Sequence, residues 1–234
     1  MSQRKNLHEL DAQLEHLSAQ DGLALIGNLF PGKVTFSTSL GQEDQVITQL
    51  IASGNIPIQL FSLDTGRLFP ETLDLLSRTE ANYKQNIKVY YPTTASVEDL
   101  VSEIGINGFY DTVENRKSCC FVRKVEPLRR ALAGNAVWVT GLRAEQSANR
   151  NAMKRIEWDE VNDIIKYNPL MDWTFEEVVA YIDEKNIPYN PLHNKGFLSI
   201  GCAPCTRAIA DGEDARAGRW WWEDSKKECG LHGK

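Results

Sequence analysis

Five cysteines are the residues of this chain best suited to chemistry, and they fall into three groups. Cys119 and Cys120 are adjacent, Cys202 and Cys205 form a C-x-x-C motif, and Cys229 stands in a charged segment close to the last residue. A chain of 234 residues can bury a large core without disulfides, and an odd number of cysteines cannot all pair. The grouping is therefore typical of a metal centre accompanied by a separate reactive thiol.

The four grouped cysteines could hold zinc or an iron–sulfur cluster. Structural zinc sites usually take their ligands from knuckles in which other residues separate the two cysteines, and Cys119 and Cys120 have none between them. The irons of a cubane cluster lie far enough apart for neighbouring side chains to reach different irons. We therefore favour a cluster over zinc, while a vicinal disulfide or a redox-active Cys202/Cys205 pair remains an alternative.

Cys229 has no evident cysteine partner, and its neighbours favour the thiolate. Lys226, Lys227 and His232 bring positive charge close to it. Glycines at positions 212, 218 and 230 indicate a flexible segment of the kind that a closing lid needs. The alternative is an inert, exposed cysteine in a frayed tail.

Short β-type runs alternate with helical patterns along the chain, which predicts an α/β fold with a mostly parallel sheet and helices on both faces. Thr174 and Glu177 form a capping-box pattern at the start of a further helix. We expect the Trp220-Trp221-Trp222 run to pack the tail rather than to stack on a ligand. The predicted strands are 33–37, 57–64, 87–91 and 136–140, and the predicted helices include one through Leu7, Leu10, Leu14 and Leu17, and others over 44–51 and 70–83.

Three loops follow predicted strands, where ligands of open α/β sheets bind. The Ser37–Asp44 loop combines small hydroxyl residues with a glycine, the Leu63–Arg67 loop could hold a base or ribose through its backbone, and the Gly141–Arg150 loop carries two arginines suited to anions. None contains the Gly-Lys-Ser/Thr of a Walker A loop. The first loop could alternatively be only a capped turn, the second an Asp-Gly turn before a helix, and the third a solvated surface loop.

Charge and hydropathy narrow the function classes. The formal net charge of −6 argues against general nucleic-acid binding, and the chain has neither a run long and apolar enough to span a membrane nor a signal-peptide core. We expect a protein of the reducing cytoplasm. Basic residues nevertheless flank both cysteine pairs, which indicates a small anionic ligand: Arg116, Lys117, Arg123, Lys124, Arg129, Arg130, Arg207, Arg216 and Arg219.

Taken together, these motifs resemble those of the assimilatory adenylyl-sulfate (APS) reductases, within the phosphoadenylyl-sulfate (PAPS) reductase family. The resemblance runs from Val34 to His232. It is carried by Ser37–Asp44, Leu63-Asp64-Thr65-Gly66, Cys119-Cys120 with Arg123-Lys124, Gly141–Arg150, Cys202-x-x-Cys205, Arg216-x-x-Arg219-Trp220 and Glu228-Cys229-Gly230-Leu231-His232.

The resemblance implies a nucleotide-binding fold related to the PP-loop ATP pyrophosphatases, with a [4Fe–4S] cluster on Cys119, Cys120, Cys202 and Cys205. Family members that use PAPS typically lack these four cysteines, which places the chain with the APS-using branch. The resemblance also implies that Cys229 attacks the sulfur of APS to give S-sulfocysteine and AMP, and that thioredoxin or glutaredoxin then releases sulfite. The substrate-binding residues implied are Ser37, Ser39, Leu63, Asp64, Thr65, Gly66, Lys124, Gly141, Arg143, Arg150, Arg216, Arg219 and His232.

The predicted organisation is an adenine nucleotide-binding α/β domain with the iron–sulfur site over residues 1–207, followed by a mobile segment, 208–234, that carries the catalytic cysteine. The competing functions are a PAPS reductase, a PP-loop ATP pyrophosphatase and a zinc-binding module. No nucleic acid or membrane partner is expected. The sequence leaves the oligomeric state open, a homo-oligomer included.

Overall fold

The computed structural model describes residues 7–146 and 153–223. The predicted site residues Arg150, Cys229 and His232 lie outside these ranges. Within them, one six-stranded sheet has the strand order β3-β2-β1-β4-β6-β5. Its strands are β1 (Val34–Ser37), β2 (Gln59–Leu63), β3 (Ile87–Tyr90), β4 (Val137–Val139), β5 (Ile156–Asp159) and β6 (Ile164–Tyr167).

The sheet is mostly parallel, as predicted. The pairs β1–β2, β1–β4 and β4–β6 are parallel, whereas β5 pairs antiparallel with β6. Successive residues of β4 and β6 are all buried. Because successive side chains of a strand point to opposite faces, both faces of the sheet are covered in this region, which confirms the predicted α/β class.

The β5–β6 hairpin is absent from the sequence-based prediction. Both strands are only four residues long and mix charged with apolar side chains. Lys166 is nevertheless buried. Its ammonium group lies 5.6 Å from the centre of the Trp138 ring and 3.6 Å from a Glu157 carboxylate oxygen, and these two contacts offset the cost of burying its charge. The turn between the two strands contains Asn162-Asp163, and Asp163 has φ of 53°. This Asn-Asp pair is the sequence signal that could have revealed the hairpin, because both residue types tolerate the left-handed region.

The helices agree with the predicted ones where a cap or a long apolar pattern exists. The 70–83 helix is confirmed, and so is the capping box of Thr174 and Glu177. The first helix ends at Leu14, and Leu17 is exposed. The helices are α1 (Leu7–Leu14), α2 (Ala19–Leu29), α3 (Gln42–Ser53), α4 (Pro70–Tyr83), α5 (Thr94–Ile104), α6 (Val113–Cys120), α7 (Glu126–Leu132) and α8 (Phe175–Lys185).

None of the helices in the described ranges is both long and apolar enough to cross a membrane.

The chain divides into two compact units, each built from separate stretches of sequence. The first unit contains residues up to 62, 74–88 and 134–190, and its core packs on the sheet around Phe36, Ile47 and Val139. The second unit contains residues 63–73, 89–133 and 191 onward, and its core gathers cysteines and aromatic side chains. The 1–207 and 208–234 division remains a prediction.

Candidate functional site

The adjacent cysteines close a helix in the second unit. Helix α6 begins after the cap Thr112, whose side-chain oxygen accepts the Asn115 N–H at 3.0 Å, and it ends at Cys119-Cys120. The chain then continues without a break through a π-helical turn, Phe121–Val125, into α7. Single π-helical turns are frequent at functional sites. Here the turn carries Arg123 and Lys124, which are both buried.

The C-x-x-C motif lies on a short 3₁₀ helix, Ala203–Cys205, which is attached to the loop after β2. The Ala203 N–H donates to the Arg67 carbonyl at 2.8 Å. Cys202 and Cys205 pack with Cys120 in a buried cluster that also contains Phe109 and Trp220, and the half-buried Cys119 packs against it. The structure therefore brings all four grouped cysteines together, and none of the four is in a disulfide.

The four cysteines belong to one group of packed side chains. Within the described residues, no three His, Cys, Asp or Glu side chains converge as ligands of one metal ion would. A single zinc ion needs such convergence. A four-iron group instead takes one cysteine on each iron. Four thiols are the donor set of an iron–sulfur cluster, and they are also the donor set of one class of structural zinc site.

Positive charge surrounds the cluster, with the clearest effect at Cys202. Burial alone would raise the pKa of this thiol, but the Lys124 ammonium, a hydrogen bond with Thr65 and the Arg219 guanidinium lower the pKa below its usual value. The pKa of Cys205 is raised to about 12 by burial and by the charge of Cys202. The pKa of Cys119 is raised by burial, against an opposing effect of Arg123. Cys202 is thus the thiol best prepared to act as a thiolate.

The loop after β2 contacts the cluster directly. The Thr65 hydroxyl lies 3.2 Å from the Cys202 sulfur, and either atom could be the donor. The Thr65 carbonyl accepts a hydrogen bond from Arg123 at 2.6 Å. Asp64 accepts the Gly66 N–H at 2.8 Å, and Gly66 has φ of 69°, which a glycine adopts without strain. The loop predicted to bind substrate is therefore also a support of the cysteine cluster, a role that sequence reasoning missed.

Two guanidinium groups lie over the buried Trp220 ring. Arg116 and Arg219 place their central carbons 4.6 Å and 4.9 Å from its centre. Arg116 is also paired with Glu223 at 2.8 Å, and both side chains are almost fully buried. Arg216 is half-buried, and its N–H donates to Asp214. Trp220 also packs with the cysteines. The sequence predicts a packing role for Trp220 but not its contacts with the two arginines.

In the first unit, the loop after β1 is held by a buried carboxylate. Asp44 accepts the Ser39 N–H at 2.6 Å and the Ser39 hydroxyl at 2.7 Å. Burial raises the pKa of Asp44 to about 7, although both hydrogen bonds oppose that rise. Leu40 takes the left-handed region, with φ of 62°. Ser37, the last residue of β1, accepts a hydrogen bond from the Trp138 indole at 2.8 Å.

The loop after β4 packs closely on the same carboxylate. A Cβ atom at Gly141 would lie 2.1 Å from an Asp44 carboxylate oxygen, so only glycine allows this approach. Arg143 is buried and pairs with Glu43 at 2.9 Å, while it donates to the Trp173 carbonyl at 3.2 Å. The solvated-loop alternative is therefore wrong for Arg143. An anion at this guanidinium would compete with Glu43.

Comparison with known proteins gives a consistent result. The model of the phosphoadenosine phosphosulfate reductase domain family matches residues 33–208. An adenosine 5′-phosphosulfate reductase of Allochromatium vinosum is 56% identical over 200 residues, which cover 85% of this chain and 78% of the relative.

Solved structures agree with this match. The chain resembles a phosphoadenylyl-sulfate reductase from Candida auris, solved as a phosphate complex, with a TM-score of 0.75, 31% identity and coverage of 88% of this chain and 97% of the other. It also resembles the Candida glabrata FMN adenylyltransferase, with a TM-score of 0.52, 15% identity and coverage of 94% and 82%. At this low identity, the second likeness concerns the fold alone.

Proposed function

The chain belongs to the phosphoadenosine phosphosulfate reductase family, and we propose that it reduces adenosine 5′-phosphosulfate to sulfite and AMP. One observation carries the choice of substrate within the family. Four cysteines from two distant segments pack together, with Thr65 and positively charged side chains beside them. The name of the Allochromatium relative supports the same substrate.

In the proposed first step, the Cys229 thiolate attacks the sulfur of the sulfate group. A sulfur–sulfur bond forms, the bond from that sulfur to the phosphate oxygen breaks, and AMP leaves with the electron pair. Lys226, Lys227 and His232 are close in sequence and would favour the thiolate. The product on the protein is an S-sulfocysteine.

In the second step, a thiolate of thioredoxin, or of glutaredoxin, attacks the Cys229 sulfur. A mixed disulfide forms and sulfite leaves. The second thiol of the reductant then resolves that disulfide and restores the Cys229 thiol. The two electrons that reduce the sulfur come from the dithiol, so that atoms and electrons balance without a further donor.

We further propose that Cys119, Cys120, Cys202 and Cys205 hold a [4Fe–4S] cluster. Three of these thiols are buried and the fourth is half-buried, and the cations around Cys202 favour the thiolate that iron requires. When bound, the cluster would supply a fixed local charge that orients nearby cations. The residues of the chain do the remaining work: Thr65 and Arg123 hold the loop after β2, and Lys124 faces Cys202.

The substrate-binding residues remain predictions. The geometry supports a loop after β1 that is fixed by Asp44, and a buried Arg143. Lys124 and Arg219 supply positive charge beside the cysteines. Arg150 and His232, predicted to contact the phosphosulfate with them, lie outside the described residues.

The test is a comparison of sulfite release from APS and from PAPS, with thioredoxin as reductant. We expect turnover with APS and at least about a hundredfold lower kcat/KM with PAPS, a difference of roughly 2.7 kcal/mol in transition-state binding. The Cys229→Ser variant should release no sulfite from either substrate. Faster turnover of PAPS would contradict the proposed substrate, and turnover by Cys229→Ser would contradict the nucleophile.

A further inference from the structure

An exposed apolar surface in the second unit has no role in the chemistry described above. It consists of Ile106, Tyr110 and Trp221, with exposed fractions of 65%, 38% and 41%, and the half-buried Trp222. We call these four residues the aromatic face. Large apolar side chains that lie exposed together are typical of surfaces that bind a partner.

The rings of the aromatic face contact one another. Trp222 lies 4.5 Å from Tyr110 and 4.9 Å from Trp221 between ring centres, and both contacts are edge-on. Trp220 is the fully buried member of the tryptophan run, and its packing with the cysteines accounts for that residue. Packing does not account for the exposure of Trp221.

The aromatic face is attached to the backbone that carries the cysteines. The Tyr110 hydroxyl donates to the Pro204 carbonyl at 2.6 Å, between Cys202 and Cys205 in sequence. The Ile106 carbonyl accepts a hydrogen bond from Arg67 at 2.5 Å. The guanidinium of Arg67 also lies 5.2 Å from the centre of the Phe109 ring. The face is therefore fixed before a partner arrives, which lowers the entropic cost of binding.

We propose that the aromatic face binds the dithiol protein that releases sulfite from Cys229; this inference rests on the proposed function. The described chain ends at Glu223, directly after Trp222, and Cys229 follows six residues later. Six extended residues span at most about 20 Å. A small protein on this face would thus have its thiol within reach of the S-sulfocysteine. Tryptophan and tyrosine contribute most of the binding energy at such interfaces.

The test separates docking from chemistry by using two reductants. Dithiothreitol needs no docking surface, whereas thioredoxin does. We expect Ile106→Asp and Trp221→Ser, made separately, to raise the KM for thioredoxin about tenfold, as the loss of one interface contact does. Both variants should release sulfite with dithiothreitol at the wild-type rate.

The matched control is Val161→Asp. Like Ile106, Val161 is an exposed apolar residue in a turn, but it belongs to the first unit. It should keep the wild-type KM for thioredoxin. A wild-type KM in both face variants would overturn the docking site. An equal loss with both reductants would also overturn it, because the face would then serve closure of the tail or contact with a second copy. No sulfite from the wild-type protein with either reductant would overturn the proposed function, and the docking site with it.

Discussion

At the scale of single residues, Asp44 shows how one buried group shapes a ligand loop. Its carboxylate holds both the N–H and the hydroxyl of Ser39, and Gly141 lies against it with no room for a side chain. A buried carboxyl that keeps its proton up to about pH 7 binds that proton more tightly in the folded chain than in the unfolded chain. Protonation of the Asp44 carboxyl therefore makes the stability of the folded chain depend on pH.

The sign of the pH effect follows from this difference. The folded-state pKa of Asp44 is raised from 3.8 to about 7, so its contribution to stability is complete below about pH 4 and is lost as the pH rises to about 7. The free energy of unfolding should fall by up to about 1.4 kcal/mol per pH unit in this window because of Asp44. The Asp44→Asn variant should lack that slope, since its amide oxygen still accepts from Ser39 and does not titrate.

Urea unfolding of the wild type and of Asp44→Asn across this window measures the slope. The exposed Asp211 offers a control, and Asp211→Asn should keep the wild-type slope. An unchanged slope in Asp44→Asn would mean that the Asp44 carboxylate is ionised in the folded protein throughout the window.

Individual residues were predictable where their type alone decides the chemistry. The four grouped cysteines were identified from their spacing, and the structure gathers them. The contact between Thr65 and Cys202 was not predictable, because it joins residues 137 positions apart. Likewise, the Glu43 partner of Arg143 is 100 residues away in sequence. Pairings of this kind depend on the assembled fold rather than on any local pattern.

At the scale of elements, two short helical segments present the four cysteines. Cys119 and Cys120 end α6 where the π-helical turn begins. Cys202 precedes, and Cys205 ends, a 3₁₀ helix whose Ala203 N–H is hydrogen-bonded to the Arg67 carbonyl. Capping and strand patterns predicted α4, α8 and the central strands well. The four-residue strands β5 and β6 were not predicted from the sequence. The charged Lys166 in β6 is buried through a cross-strand ion pair and a ring contact, which no local pattern shows.

The proposed [4Fe–4S] cluster on the four cysteines gives a prediction at the scale of elements. Protein purified without oxygen should contain about four irons per chain and absorb broadly in the visible range. Cys202→Ser should lose most of the iron and the colour, because it removes the thiol whose pKa the surrounding cations lower. Cys229→Ser is the matched control and should keep both. Full iron content in Cys202→Ser, or zinc in the wild type, would contradict the ligand assignment.

At the scale of the whole molecule, the chain combines a sheet unit with a unit built around thiols. The α/β class and the family followed from motifs along the sequence, and both are confirmed. The two units were not predictable, because each assembles stretches that are far apart in the chain. The predicted division at residue 207 followed sequence order and has not been tested.

The proposed function requires that the Cys229 thiol, which lies outside the described residues, accept the SO₃ group of APS. The most direct measurement is the mass of the intact protein after mixing with APS in the absence of any thiol, followed by peptide mapping. We predict that each chain gains the mass of one SO₃ group on the peptide that contains Cys229, with release of one AMP. An adduct on another cysteine, no adduct, or an adduct formed with PAPS alone would contradict the account.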